Sequence, residues 1–176
     1  MLLPKRATTL LVNKSTPFFS LAYKLLPNRI ESVLLDYLMN TLSKEFIDNN
    51  ELDFINDKFI SISIPDLAIH WTFTKTQEYN PKDDRLVLVS DKHIKSDVNI
   101  SGTLNAMILM ASQKVDPDTL FFNRELTITG DTNLGLEVKN LIDQFNINLL
   151  GGAIKKSLDF WSQSIIEVRH AERSIC

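Results

Sequence analysis

The sequence predicts an α+β domain, a mostly antiparallel five-stranded sheet covered by helices. Two observations carry this. Apolar residues recur at helical spacing over residues 30–46, at a period of two in five short stretches between residues 60 and 129, and at helical spacing again beyond residues 103 and 131. The last of the strands also runs into its helix without ambiguity. Leu126 and Ile128 alternate with Thr127 and Thr129, Gly130 ends the run with a residue free to take positive φ, and Asp131 or Thr132 can cap the helix that follows. Along that helix Leu134, Val138, Leu141, Ile142 and Phe145 recur on one face, opposite Glu137, Lys139, Asn140 and Gln144, so the face must cover something apolar.

Composition bounds the rest. With 176 residues, 44% hydrophobic and 23% charged, the chain is long enough for one domain with its own core. A domain of about 150 residues buries roughly 70% of its unfolded surface, so neither a disulfide nor a structural metal is required. Cys176 is the only cysteine, which excludes an internal disulfide and is compatible with a reducing cytoplasm. The net charge of -3 hides an asymmetry: residues 1–30 hold Lys5, Arg6, Lys14, Lys24 and Arg29 and no acid, a local +5 that leaves -8 for the remainder. Such a split points to an anionic partner surface. A membrane fits better than nucleic acid, which is not an expected partner, because the basic residues are sparse and the rest of the chain is acidic. No apolar run reaches the ~20 residues of a membrane span. Asn13 and Lys14 interrupt the apolar stretch at 9–12 before it attains signal-peptide length. The expected location is cytoplasmic, with peripheral membrane association.

Taken in order, residues 1–28 read as a basic amphipathic arm, 29–150 as the domain and 151–176 as a C-terminal amphipathic helix and tail. In the arm, Thr16 and Pro17 start a helix and Pro27 stops it. Phe18, Phe19, Leu21 and Leu25 lie on its apolar side, with Lys14 and Lys24 nearby, the composition of an interfacial segment. The alternative is a helix folded back onto the domain. Asn28 and Glu31 have capping-box spacing, and Ile30, Val33, Leu34, Tyr37, Leu38, Leu42 and Phe46 continue as a long amphipathic helix. Ile60, Ile62 and Ile64 then alternate with serines, Pro65-Asp66 turns the chain, and Leu67, Ile69, Trp71 and Phe73 alternate with Ala68, His70 and Thr72, giving two antiparallel strands. Residues 75–84 are a polar loop, and 86–89 and 98–100 are short strands joined by a charged turn around Asp91 and Lys92. After Gly102, Leu104, Met107, Ile108 and Ala111 share a helical face with Met110 beside it. The two methionines are ordinary core or, being adaptable, the wall of an apolar cavity. Beyond Gly151-Gly152, Ile154, Leu158, Trp161, Ile165 and Val168 form a last apolar stripe that packs on the domain, a membrane or a partner.

Two chemical readings are excluded. Gly130 to Gly135 has the spacing that opens a phosphate-binding loop, but Leu136-Glu137 stands where Lys and Ser or Thr are needed, and Asp131 opposes phosphate at the helix N-terminus. Gly135 within a helix costs about 1 kcal/mol relative to Ala, so a backbone or a ligand must pass close to it. For catalysis, His70, His93 and His170 are far apart without metal-ligand spacing, no G-x-S-x-G occurs, and Asp116 and Asp118 around Pro117 suit a turn or helix cap. No catalytic constellation, metal site or cofactor is expected.

The stretch D-P-D-T-L-F-F-N-R-E-L-T-I-T-G-D-T-N-L-G-L-E-V-K-N-L-I-D, residues 116–143, resembles the strand–helix signature of the UbiT-type bacterial ubiquinone biosynthesis accessory factors, in the sterol carrier protein type-2 superfamily. The likeness covers roughly residues 30–145 and is most specific over 117–143. Around the G-D-T core this chain has Thr129 and Asn133 where the family commonly carries acidic residues. The resemblance implies a sheet and helices around an apolar tunnel that accepts lipid, and a non-catalytic part in oxygen-independent ubiquinone biosynthesis beside two iron–sulfur hydroxylase proteins. The partners implied are prenyl quinone intermediates or phospholipid. Trp71, Phe73, Leu104, Met107, Ile108, Ala111, Leu120, Phe121, Leu134, Gly135, Val138, Leu141, Ile142 and Phe145 are the expected lipid contacts, and Lys14, Phe18, Phe19, Leu21, Lys24 and Leu25 the expected membrane contacts. Burying ten CH₂ groups is worth about 8 kcal/mol, so a polyprenyl lipid leaves the bilayer only for a comparably apolar site.

Overall fold

A computed structural model describes residues 28–76, 85–89 and 94–173. Helix α1 (Asn28–Asp48) comes first, and a 3-10 turn (Asp53–Ile55) leads into β1 (Ile60–Ile64). A second such turn (Pro65–Leu67), with Ala68 left-handed at φ 56°, reverses the chain into β2 (Ile69–Thr76). Then come β3 (Arg85–Val89), β4 (Val98–Gly102), α2 (Leu104–Ala111), α3 (Pro117–Phe122), β5 (Leu126–Gly130) and α4 (Thr132–Gln144). A last 3-10 turn (Ile147–Leu150) precedes α5 (Gly152–Arg173). The expected arm, with Lys14, Phe18, Phe19, Leu21, Lys24 and Leu25, lies outside the described residues, as does the turn around Asp91 and Lys92.

Helix starts follow their capping residues. The Thr103 hydroxyl accepts from the Ala106 N–H, the Asp116 carboxylate from Asp118, and the Asp131 carboxylate from both Asn133 and Leu134. Asp116 and Pro117 therefore open a short helix, α3. At α4 the donors that a phosphate would need are already held by Asp131.

The sheet is five-stranded, in the order β3-β2-β1-β4-β5, antiparallel except for the central pair β1–β4, which runs parallel with Ile60 beside Val98. Strands β3 and β4, consecutive in the chain, are thus separated by β2 and β1. Alternation tells a strand which side chains share a face, but not which strand it will pair with. Register places Ile60, Ile62, Trp71, Phe73, Val98, Ile100 and Ile128 on one face. The other face carries Ser61, Ser63, His70, Thr72, Asn99 and Thr127.

Helices cover the apolar face. α4 lies on β4 and β5, and Leu134, Val138, Leu141 and Phe145 are buried beneath it. Its approach is set by Gly135, where a Cβ would come 2.3 Å from Ile128 Cγ2 and 3.0 Å from Val98 Cγ2. The close neighbour that this glycine requires is the side-chain layer of the sheet. α5 packs across α2 with Ile165 and Val168 buried, and the pairs Arg169–Glu125 and Lys114–Asp159 hold its flanks. Of the three surfaces open to the C-terminal helix, the domain is the one it covers. α1 reaches the sheet edge, where the Asn40 side-chain amide donates to the Leu86 carbonyl at 2.9 Å and accepts from the Leu86 N–H at 3.1 Å. Glu31 accepts from the Trp71 indole N–H.

Two features depart from the hydrophobic pattern. Ile30, Val33, Leu34 and Tyr37 face outward, whereas Leu42 and Phe46 pack against the core. Lys75, on the same face of β2 as Trp71 and Phe73, has a side chain with no exposed area and donates to Asp53 Oδ1 at 2.8 Å. That hydrogen bond, with the lysine's charge, holds the Asp53 carboxyl below the usual carboxylate range, against the opposing effect of its partial desolvation.

Gly135→Ala is expected to lower unfolding stability by about 1–3 kcal/mol through overpacking, a loss only partly offset by helix propensity. In denaturant unfolding, the same Gly135→Ala substitution should cost less on an Ile128→Ala background, where the opposing methyl is gone. Because the folded-state pKa of Asp53 is depressed, its pair with Lys75 stabilises the fold above the ordinary aspartate pKa of about 4 and ceases to do so as pH falls through the folded value. Thermal melts should therefore show Asp53→Asn less stable than the parent at pH 7 and converging with it in acid, whereas Lys75→Met should hold its melting temperature or raise it.

Candidate functional site

The apolar layer beneath the helices gathers most of the predicted lipid contacts. Phe73, Met107, Leu120, Leu134, Gly135, Val138, Leu141 and Phe145 are buried, and Trp71, Leu104, Ile108 and Ile142 are half-buried against the same core. Two lie elsewhere. Ala111, at the end of α2, is exposed, because Ala106, Leu109 and Met110 supply that helix's inner side. Phe121 is exposed on α3 beside Phe122, with ring centroids 5.9 Å apart.

The layer opens to solvent beside the C-terminal end of α1. A cleft of about 210 Å³ is floored by Phe46, Phe54 and Leu141 and rimmed by Glu51, Glu137, Asn140 and Gln144. Leu141 belongs both to this floor and to the buried core, and the Phe46 ring meets that of Phe145 at 5.8 Å, so the cleft floor is the surface of the core. Its volume is below the roughly 300–1,000 Å³ typical of small-molecule sites. The cleft has room for a ring or a short branched segment. Phe54 carried no sequence signal because it stands outside any periodic stretch. Lys75 corrects the sequence reading: expected at the start of the polar loop 75–84, it is buried on β2, where it continues the alternation of Ile69, Trp71 and Phe73.

On the polar face one hydrogen-bonded chain crosses three strands. The Ser63 hydroxyl donates to Asn99 Oδ1 at 2.7 Å, so its oxygen accepts from His70 Nδ1 at 2.8 Å. His70 Nε2 lies 3.4 Å from the Thr72 hydroxyl, which pairs with Ser61 at 2.9 Å. In this arrangement His70 is the donor toward Ser63, the reverse of what a general base requires. Among the described residues there is no cluster of three or more His, Cys, Asp or Glu side chains able to hold a metal, and no helix long and apolar enough to cross a membrane.

Comparison with known proteins agrees with this architecture. The SCP-2 sterol transfer family matches residues 37–143. The ubiquinone biosynthesis accessory factor UbiT of Escherichia coli (strain K12) is 32% identical over 148 residues, which cover 84% of this chain and 80% of that protein. The UbiT of Escherichia coli O157:H7 matches to the same extent. Among solved structures, UbiJ-SCP2 Ubiquinone synthesis protein superposes with a TM-score of 0.52 at 11% identity, covering 66% of this chain and 96% of that one, a likeness of fold. The chain therefore belongs to the SCP-2 sterol transfer family, as a member of the UbiT type.

Proposed function

We propose that this chain is a non-catalytic lipid-binding accessory protein of oxygen-independent ubiquinone biosynthesis. It takes a prenylated quinone intermediate, or a phospholipid, against the apolar layer beneath α4 and presents it at the membrane surface to iron–sulfur hydroxylase proteins. Its relatives of the UbiT type carry the pathway in their name, and the sterol transfer family carries the lipid class. The supporting observation in the fold is the cleft whose floor, Phe46, Phe54 and Leu141, continues into the core. The ring of a quinone fits such an opening. Met107 and Met110, buried farther in, supply the adaptable side chains that a longer apolar tail would displace. On this reading residues 1–28 are the membrane arm, with Lys14, Phe18, Phe19, Leu21, Lys24 and Leu25 at the bilayer, and residues 29–150 the lipid-binding domain.

A second reading, a scaffold with a filled core that docks partner enzymes to the membrane, is favoured by one observation. Gly135 already rests on Ile128 and Val98, and lipid entry there requires that contact to open.

Solvent extraction of the purified protein followed by lipid mass spectrometry should recover a prenyl lipid or phospholipid. Recovery of none, together with no uptake from mixed vesicles, favours the scaffold. Asn140→Trp and Gln144→Trp, both at exposed rim positions, are expected to keep the fold while slowing lipid exchange about tenfold or more. Unchanged exchange would place the entry elsewhere.

A further inference from the structure

The outward stripe of α1 changes character along its length. Ile30 is 55% exposed, Val33 70%, Leu34 44% and Tyr37 55%, and they stand at i, i+3, i+4 and i+7 on one side of the helix. Farther along the helix the solvent side is taken by Lys44, Glu45 and Asp48, as on an ordinary surface helix. Single exposed apolar residues need no explanation, but four on one stripe form a patch of the kind that marks an interaction surface. The patch does not arise from a loose helix. Just across α1, Glu31 is bonded to the Trp71 indole, and Asn40 is bonded to the β3 backbone through both its donor and its acceptor.

We infer that this half of α1 is a membrane-contacting face, seated in the interfacial region of an anionic bilayer. Charge and position select that occupant. The patch lies on the two turns where the chain enters the domain, directly after 27 residues that hold Lys5, Arg6, Lys14 and Lys24 and no acid, while the remainder of the protein is strongly acidic. The cationic segment draws the molecule to anionic headgroups, and the apolar stripe at its end is what then inserts. A second copy of the chain would bring the two cationic segments together, and an acidic protein partner would leave the apolar stripe without a match. The inference rests on the membrane-surface part of the proposed function and adds a rigid element of the domain to the arm. A bilayer gripping α1 also fixes which way the domain faces, since α1 is bonded to the sheet.

The test is flotation of the full chain with vesicles of equal phosphatidylcholine and phosphatidylglycerol, at low and high salt. Val33→Gln combined with Leu34→Gln should weaken binding about tenfold or more at either salt, because each apolar side chain withdrawn from the interface forfeits roughly tenfold in affinity. Lys44→Gln combined with Glu45→Gln, on the same side of the helix but in its charged half, should bind as the parent does. Deletion of residues 1–27 should instead give a loss that shrinks at high salt, as its cationic share is screened, and keeps the part owed to its apolar residues. If the Val33 and Leu34 variant binds like the parent while the deletion does not, the inference fails and the membrane arm stands. If the parent itself does not bind, both fail. A change in oligomeric mass by light scattering in the Val33 and Leu34 variant would overturn the inference in favour of a second copy.

Discussion

The contact of α4 with the sheet at Gly135 is the constraint on which the rest of the structure depends. Only a residue without a side chain lets the helix descend until Ile128 and Val98 touch its backbone. That descent brings Leu134, Val138 and Leu141 within reach of the strands, and it sets where the layer ends in the cleft. Asp131 is the other half of the device. Its carboxylate fixes the first turn, and its main chain is tied to Asp97 at the start of β4, so the helix is aimed before it is packed. The signature stretch by which the family is recognised is thus a joint between a strand and a helix, and its conservative physical reading and its family reading concern the same contact.

On the proposed reading, lipid binding works against that joint. A protein interior packs about as densely as an organic crystal, and an apolar ligand enters such a layer by replacing side-chain contacts of similar strength. Its net gain is small unless those contacts are poor or adaptable. The open end near Phe46 and Phe54 and the two buried methionines of α2 are where adaptation costs least. On the proposed reading, lipid handling falls at the cleft end of α4, away from its first turn.

The helices, the strands and the caps could be read from residue order because each depends on local spacing. Leu126 to Gly130 and the α4 stripe appear in the structure as their alternation and helical period require. Strand partners could not be read in this way. Nothing in residues 86–89 distinguishes a place beside β2 from one beside β4, and the parallel pairing of β1 with β4 depends on the path of the chain between them. The outward stripe of α1 escaped for a different reason. An apolar side chain that faces the core and one that faces solvent have the same spacing, so residue order does not separate Ile30, Val33, Leu34 and Tyr37, which face outward, from Leu42 and Phe46, which pack on the core. In the candidate site, both the apolar stripe of α4 and its polar side with Glu137, Asn140 and Gln144 were legible, whereas Phe54 and Glu51 join them only in space.

The parallel pairing of β1 and β4 also bears on how this chain comes to be folded. Ile60 and Val98 sit side by side at the centre of the sheet although the chain makes an excursion through β2 and β3 between them. Closing a loop of that length costs entropy before any contact compensates for it, so local elements are the ones able to form early. The β1–β2 hairpin, with its Pro65–Leu67 turn, and the β5–α4 unit, with its Asp131 cap, are both local. The fold then reduces to a meeting of two preformed halves along the β1–β4 seam, and substitutions at that seam should govern the rate of folding more than those within either half.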